Sequence, residues 1–255
     1  MSTVTSSAPL ADAAIMLRRN IKHTLRNPVA VFNAILFPVV MMLIFVYVYG
    51  GAFSVGVDYI DYATPGMLLM AVSYGLSATA TAVNSDMTNG IINRFKVMDV
   101  SRGAVLTGHV VSTVVRTVIA LAAILGVAFG LGFRSSATFV EWLGVVGVLV
   151  LTVFAVSWLT IAMGLAARTA ESAGFAAVPL IMLPFLSSAI VPAEKMGPGI
   201  RQFAEYQPFT PIIETLRGLF AGSVPAGDLL AAVAWCVGIA VVGYVWARAR
   251  FSRRA

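Results

Sequence analysis

Long apolar runs separated by short polar segments dominate the pattern of this chain. A run of about twenty residues is long enough for a helix, rising 1.5 Å per residue, to cross a hydrocarbon core ~30 Å thick. Helices are predicted because backbone groups in lipid must be satisfied within the segment, whereas a barrel would show short alternating strands. We therefore expect an all-α, polytopic fold with six membrane spans, at residues 28–49, 65–83, 109–131, 142–166, 174–191 and 226–247.

Two polar segments outside these spans also carry an apolar helical face. In residues 10–27, apolar side chains recur every three or four positions among Arg and Lys, which predicts an amphipathic helix in the cytoplasmic headgroup plane of the lipid bilayer. In residues 84–98, Met87, Ile91 and Phe95 share one face of a predicted short helix. Two interpretations of this helix stay open: it lies on the bilayer surface, or it docks into a groove of a cytoplasmic partner.

The segment 192–225, on the opposite side of the membrane, is more apolar than a connecting loop requires. Pro208 and Pro211 interrupt it, so we expect two short helices at the outer interface or dipping into it. Phe209, Pro211 and Glu214 are candidates for an outer gate. The alternative is that these helices only pack the mouth of the bundle.

Composition supports the membrane interpretation. Hydrophobic residues make up 59% of the 255 residues, charged residues only 11%, and the mean hydropathy is +0.91. Soluble domains carry roughly 25% charged residues, so this chain has too little polar surface to cover a water-facing globule. The net charge of +6 does not indicate nucleic-acid binding, because most of the Lys and Arg residues lie at the ends of apolar runs.

The basic residues are divided unevenly between the two sides of the predicted bundle. Four precede the first span, four follow the last, and Arg94, Lys96 and Arg102 lie between the second and third. The positive-inside rule therefore predicts that both termini are cytoplasmic, which requires an even number of spans. The opposite side carries four basic residues: Arg134, Lys195, Arg201 and Arg217.

Known catalytic and metal-binding motifs are missing from the sequence. It contains no G-x-x-x-x-G-K-[ST] loop for ATP, no H-E-x-x-H motif, and no pair of carboxylates within a span. The only histidines are His23 and His109, and Cys236 is the single cysteine. We therefore expect no catalytic site, no metal site and no cofactor in this chain. If it moves a substrate uphill, the energy is expected to come from another chain.

Arg116 is the one clear charge inside a predicted span. A charge within the membrane is costly, which makes it a functional-site candidate by default. The alternative is structural: the long side chain can snorkel to the nearby cytoplasmic interface.

An ordered set of segments resembles the permease subunits of type 2 ABC exporters, in particular the daunorubicin-resistance kind. After the basic N-terminal helix, the segments are FPVVMMLIFVYVYGG, YIDYATPGMLL, NSDMTNGIINRFKVM and PFTPIIETLRGLFAG. The resemblance covers nearly the whole chain from about Arg18 onward. One departure is that Met98-Asp99 stands where the family usually has Leu-Pro, which puts the end of the 84–98 helix in doubt.

The resemblance implies a dimer of six-helix permeases, formed with a second copy or with a related permease, on two separately encoded P-loop ATPase subunits. ATP and Mg²⁺ would be bound by those partners. The helix at 84–98 would be the coupling helix, and the outer segment would contain re-entrant helices. The positions that match the coupling motif D-x-x-x-G-x-x-x-R-F-K are Asp86, Gly90, Arg94, Phe95 and Lys96.

The function expected on these grounds is ATP-driven export of a hydrophobic or amphiphilic compound across a bacterial cytoplasmic membrane. A drug, an antibiotic or a lipid-like molecule would all fit, because a strongly charged cargo would call for countercharges along its path. Two other classes remain open: a self-contained channel or secondary carrier, and a membrane-embedded assembly factor without a transport role.

Overall fold

A computed structural model describes residues 28–53, 55–88 and 102–254, and every regular element in these ranges is helical. The all-α prediction is therefore confirmed. The predicted interfacial helix at 10–27 and residues 89–98 of the predicted coupling helix lie outside the described residues. The helices are α1 Pro28–Leu43, α2 Tyr59–Thr88, α3 Arg102–Gly130, α4 Phe139–Ala166, α5 Ala170–Ala176, α6 Val178–Met182, α7 Ile200–Tyr206, α8 Phe209–Ala221 and α9 Ala226–Arg254.

In the described part of the chain, five stretches are long and apolar enough to cross a membrane. They correspond to the first, second, third, fourth and sixth predicted spans. The polytopic prediction is confirmed, whereas the count of six is not. The stretches are Ile35–Ala52, Tyr59–Thr88, Leu106–Gly130, Phe139–Ala166 and Ala226–Phe251.

The predicted fifth span at 174–191 is instead an interrupted helix over Ala170–Leu186. It consists of α5, α6 and a 3₁₀ turn at Leu183–Leu186. Pro179 and Pro184 explain the interruptions, because a proline inside a helix removes a backbone donor and clashes with the preceding turn. Seventeen helical residues would span only ~25 Å, which is less than a hydrocarbon core of ~30 Å.

The second span is longer than predicted at both ends. It was expected at 65–83, but α2 runs over 30 residues from Tyr59 to Thr88. Pro65 does not mark its start but lies inside the helix, six residues after Tyr59. The polar run beginning at Asn84 does not end the helix either, because α2 continues to Thr88. The Thr88 hydroxyl donates to the carbonyl of Asn84 (3.1 Å). No separate helix therefore begins at residue 84.

The two most buried spans, α2 and α4, lie at the centre of the bundle. Their close contact depends on Gly164, where an added Cβ would lie 2.6 Å from the carbonyl oxygen of Ala80. On its other side α4 packs against α9, and a Cβ at Gly243 would lie 2.5 Å from the backbone nitrogen of Leu159. Small residues that let backbones approach are the usual means of joining helices in lipid.

The first span joins the bundle through α2. After α1 the chain continues as a π-helical segment, Ile44–Tyr49, and a 3₁₀ turn, Gly50–Ala52. Phe37 on α1 stacks on Tyr74 of α2, with ring centroids 4.4 Å apart. The predicted first span at 28–49 therefore agrees with the observed helix and its π-helical extension.

Two short helices occupy the predicted outer segment. The amphipathic helix α8 buries Phe209, Ile212 and Leu216 against the centre of the bundle. It ends at Gly222, whose φ of 75° is the left-handed conformation common just after a helix. The backbone N–H of Ser223 bonds the Gly218 carbonyl (2.9 Å) and closes this end.

Candidate coupling site and outer cluster

The coupling end of α2 (residues 84–88) is attached to the end of α4 by a buried asparagine. Asn84 is fully buried, and its Nδ2 donates to the carbonyl oxygens of Gly164 (3.0 Å) and Ala167 (2.8 Å). Carbonyls at the end of a helix have no partner within that helix. Asn84 therefore caps α4 from a neighbouring helix and fixes where α2 leaves the bundle.

A second contact at this end joins α2 to α3. The Oδ2 atom of Asp86 lies 3.3 Å from Nε2 of His109, and both side chains are largely buried. Between these helices the chain passes through residues 89–101, which contain most of the predicted coupling motif. The two helices that bracket the motif are thus held together directly beside it.

Of the five predicted coupling residues, Asp86 is the only one within the described residues. It lies in the last turn of α2 and faces α3 through His109. Gly90, Arg94, Phe95 and Lys96 lie outside the described residues. Sequence reasoning did not single out Asn84 or His109. The only available signal was one Asn and one His at the borders of apolar runs, which is weak.

Arg116 lies deep in the bundle and contacts α2. It is ten residues after Leu106, the start of the third spanning stretch, which corresponds to ~15 Å along the helix. Its Nη2 donates to Oγ1 of Thr79 (2.8 Å) and to the carbonyl of Gly75 (3.3 Å). Thr79 in turn bonds the hydroxyl of Thr113 on α3 (3.2 Å).

The direction of the Arg116 side chain argues against snorkelling. Gly75 and Thr79 lie 13 and nine residues before Thr88, about 20 and 14 Å from the coupling end of α2. The guanidinium therefore stays at about the depth of its own Cα and does not reach the nearer interface. Among the described residues no carboxylate pairs with it, so hydroxyl and carbonyl oxygens satisfy the charge.

At the other end of α2, four residues form a polar group that we call the outer cluster: Tyr62, Ser188, Glu214 and Arg217. Arg217 of α8 donates through Nη2 to the carbonyls of Tyr62 and Ser188, both at 3.1 Å. Its guanidinium carbon lies 3.8 Å from the centroid of the Tyr62 ring. Its Nη1 pairs with the Glu214 carboxylate. One arginine thus joins α2, the segment after the interrupted helix, and α8.

Tyrosine hydroxyls reinforce the outer cluster. Tyr62 donates to the carbonyl of Ser188 (2.9 Å), and Tyr59 donates to the carbonyl of Ile190 (3.1 Å). Gly66 lies so close to Ala189 that an added Cβ would be 2.6 Å from its backbone. These contacts close the predicted outer end of α2 against the outer segment.

The three outer gate candidates differ in burial and in contacts. Phe209 and Pro211 are buried in α8. Glu214 is partly exposed and belongs to the outer cluster. The residues that make the contacts across this region, Arg217 and Tyr62, were not chosen as site residues. The signal that would have identified Arg217 is that it is the one cation in α8, three residues after Glu214.

These features define the class of protein. The chain is a polytopic helical membrane protein whose long helix α2 makes polar contacts at both ends and bonds Arg116 near its middle. Among the described residues, no group of three or more His, Cys, Asp or Glu comes together as a metal site.

The chain belongs to the ABC-2 type transporter family, whose model matches residues 12–221. It is similar to the daunorubicin resistance ABC transporter permease protein DrrB1 of Streptomyces coeruleorubidus, with 30% identity over 204 residues, 79% of this chain and 72% of the relative. It is also similar to the probable doxorubicin resistance ABC transporter permease protein DrrC of Mycobacterium tuberculosis, with 25% identity over 236 residues, 91% of this chain and 85% of the relative.

The family and the spans together identify a multi-pass bacterial membrane protein, the permease subunit of an ABC drug exporter. The suspected resemblance to drug-resistance permeases is therefore confirmed. Membership of the family implies an ATPase partner.

Proposed function

We propose that this permease moves a hydrophobic or amphiphilic compound out of the cytoplasm or the inner leaflet, driven by a separate P-loop ATPase subunit. In this proposal the chain has no catalytic site, and the partner binds ATP and Mg²⁺. The permease works as a dimer with a second copy or a related permease, in the cytoplasmic membrane, with both termini in the cytoplasm. The uneven distribution of Lys and Arg supports this orientation.

The observation that carries the proposal is the continuity of α2. This one helix contains Asp86 at its coupling end and Tyr62 in the outer cluster, 24 residues or ~36 Å apart along the axis. A helix of this length, packed at the centre of the bundle, moves as a rigid element. A displacement that the ATPase imposes on residues 84–98 is therefore carried to Tyr62 and Arg217, where the outer segment is held shut.

The nature of the cargo is inferred from the charge distribution and from the relatives. In the described parts of the five spanning stretches, Arg116 is the one charge far from either end, and α2 oxygens satisfy it. A strongly charged cargo would need countercharges along its path. The relatives are named for resistance to daunorubicin and doxorubicin. We therefore expect an amphiphilic drug or antibiotic, or a lipid-like molecule.

The test is a pull-down of the tagged chain from gently solubilised membranes, with mass spectrometry of the proteins that co-purify. We expect an ATPase with a P-loop motif at about equal amounts, and we expect Arg94→Glu with Phe95→Ala to remove it. Arg134→Glu is the matched control, because it reverses an arginine on the predicted outer side and should leave the complex intact.

A chain that purifies alone and still transports would contradict the proposal. Transport that follows an ion gradient and needs no nucleotide would support a secondary carrier or channel instead.

A further inference from the structure

Two polar contacts between α2 and α3 lie in register, one at the coupling end and one deep in the bundle. Asp86 lies against His109, and Thr79 accepts a hydrogen bond from Arg116 (2.8 Å). On each helix the two residues are seven positions apart, which is about two turns, so they share one helix face. The two helices therefore pack as antiparallel neighbours along one polar seam.

A third contact joins the same helices at the outer end of α2. The Oδ1 atom of Asp61, in the first turn of α2, accepts a hydrogen bond from the backbone N–H of Arg134 (2.8 Å). Arg134 follows Gly130, the end of α3, by four residues. Asp61 and Asp86 are 25 residues apart, or ~37 Å along α2. Polar contacts therefore tie α2 to α3 near both ends and in between.

The contact of Arg116 differs from the other two in its depth. Arg116 lies ten residues from one end of its spanning stretch, Leu106–Gly130, and 14 residues from the other, which corresponds to ~15 and ~21 Å. Water readily replaces a partner near the membrane surface. In the hydrocarbon core, separating the two helices would leave a cation in apolar surroundings, which is costly. The contact of Arg116 is therefore the hardest of the three to break.

The partners of Arg116 all belong to one helix. Among the described residues its guanidinium bonds only Thr79 and Gly75, both on α2. A cation is an expensive way to pack two helices in lipid, since small residues join helices without one, as Gly164 does between α4 and α2. The charge is explained if α2 and α3 must stay together while the bundle changes shape, because a contact that cannot open in lipid holds in every state.

We infer that Arg116 is a positioning residue that makes α2 and α3 one moving unit. Residues 89–101 link the two helices, so a partner that displaces this link acts on both of them at once. The inference rests on the proposed function and states which part of the bundle the ATPase moves. Sliding of α2 along α3 is the opposite behaviour, and it would require Arg116 to leave Thr79 and Gly75 within the hydrocarbon core.

The first test removes the contact. The full-length chain and the ATPase that co-purifies are reconstituted in vesicles, and daunorubicin efflux and ATP hydrolysis are measured together. Arg116→Met removes the charge and the donors from a side chain of similar length. We expect efflux per ATP hydrolysed to fall about fivefold or more, the lower end of typical coupling between sites. The daunorubicin concentration at half-maximal rate should not change, because a positioning residue does not touch the cargo.

Two further variants serve as controls for Arg116→Met. Arg116→Lys keeps a cation that still needs the oxygens of α2, so it should retain most of the efflux per ATP. Thr113→Val removes a hydroxyl that lies 3.2 Å from the Thr79 hydroxyl, at the same depth in the seam, but leaves the bonds of Arg116 in place. This variant should leave the ratio of efflux to ATP hydrolysis unchanged.

A disulfide tests directly whether the two helices move together. The hydroxyl oxygens of Thr79 and Thr113 are 3.2 Å apart, so cysteines at these positions can be joined. Thr79→Cys and Thr113→Cys are combined in a Cys236→Ala background, and mass spectrometry of the linked peptides verifies the bond. We expect equal efflux and ATP hydrolysis before and after reduction of the same sample. With Arg116→Met added, oxidation should restore most of the lost efflux per ATP, because the disulfide replaces the missing contact.

Three outcomes would overturn the inference. Loss of efflux and ATP hydrolysis on oxidation, regained on reduction, would show that α2 slides along α3. A higher half-maximal daunorubicin concentration in Arg116→Met, with an unchanged maximal rate, would assign Arg116 to the cargo. An unchanged ratio of efflux to ATP hydrolysis in the same variant would show that Arg116 only packs the two helices.

Failure of the proposed function would be seen separately. In that case no ATPase co-purifies, or efflux continues without nucleotide, and the oxidised and reduced forms of the disulfide chain still show whether α2 and α3 move together. The same comparison decides the question if Arg116→Met does not fold, because it is made with Arg116 in place.

Discussion

At the outer cluster one side chain, Arg217, joins three segments, whereas at the coupling end two different side chains join α2 to its neighbours. Arg217 makes its contacts with residues up to 155 positions away in the sequence. Among the described contacts, Asn84 bonds the end of α4 and Asp86 lies against His109 of α3. The outer contacts therefore depend on a single guanidinium, while those at the coupling end are divided between two side chains.

In the proposed mechanism, α2 carries a displacement from its coupling end to the outer cluster, and the outer segment opens when the contacts of Arg217 break. Four predictions test the difference between the two ends, from the largest expected effect to the smallest.

The first prediction concerns Arg217→Ala, which removes the centre of the outer cluster. It removes a charged donor from two carbonyls and the Glu214 carboxylate, so we expect a loss of about 2–3 kcal/mol in the free energy of unfolding, although the Tyr62 hydroxyl still donates to Ser188. Drug export should fall sharply, because the outer segment loses its closed position. Thermal unfolding in lipid nanodiscs and efflux from loaded vesicles measure the two effects.

Arg201→Ala is the matched control for this prediction. Arg201 lies in the same outer segment and pairs with Glu205 (2.7 Å), but both side chains are well exposed. This hydrogen bond raises the pKa of the Arg201 guanidinium, which is charged at physiological pH in any case. Water replaces such a partner readily, so stability and efflux should stay unchanged. Equal losses of stability and efflux in the two arginine variants would contradict a special role of the outer cluster.

The second prediction compares the two glycines where α2 touches its neighbours. Gly66→Ala places a Cβ 2.6 Å from the backbone of Ala189, and Gly164→Ala places one 2.6 Å from the carbonyl of Ala80. Overpacking of this kind typically costs about 1–3 kcal/mol. We expect both variants to unfold at lower temperature. Gly147→Ala, in open space, should be neutral or slightly stabilising, because alanine favours the helix.

The glycine comparison also separates the two ends of α2. If the coupling end tolerates movement better, Gly164→Ala should cost less stability than Gly66→Ala, since the end of α4 can shift away. The reverse order, measured by thermal unfolding of both variants in the same bilayer, would contradict the proposed difference between the ends.

The third prediction is for Asn84→Ala, which removes the cap on α4. The two carbonyls at Gly164 and Ala167 lose a buried donor, so we expect a cost of about 1–2 kcal/mol and weaker stimulation of the ATPase by drug. Thr88→Ala is the control, because its bonds within the described part of the chain go to carbonyls of its own helix. Stability is measured by thermal unfolding and coupling by the drug-dependent rate of ATP hydrolysis in the complex.

The fourth and smallest effect is expected for Asp86→Asn. The amide keeps the shape of the side chain and a hydrogen bond to His109 but removes the negative charge, so stability should fall by no more than about 1 kcal/mol. The variant should nevertheless reduce drug-stimulated ATP hydrolysis, because Asp86 joins the two helices that bracket the coupling segment. A variant with unchanged coupling would show that this contact only packs the two helices.

The sequence alone determined the class of fold and most of the spans. Membrane thickness and backbone hydrogen bonding leave few options for apolar runs of about twenty residues, so the helices at 28–49, 109–131, 142–166 and 226–247 were predicted close to their observed positions. The two short outer helices followed from Pro208 and Pro211. These are local properties, and a single segment contains the information for each of them.

The tertiary structure alone decided which side chains meet. The contacts of Tyr62 with Arg217 and of Asn84 with Gly164 join residues 155 and 80 positions apart, so no local sequence pattern predicts them. The neighbouring helix α2 also determines where the Arg116 guanidinium lies, because Gly75 and Thr79 provide the oxygen atoms that accept its hydrogen bonds. Proline alone did not decide where a helix ends, since Pro38 lies within α1 and Pro65 within α2, whereas the segment with Pro179 and Pro184 is interrupted.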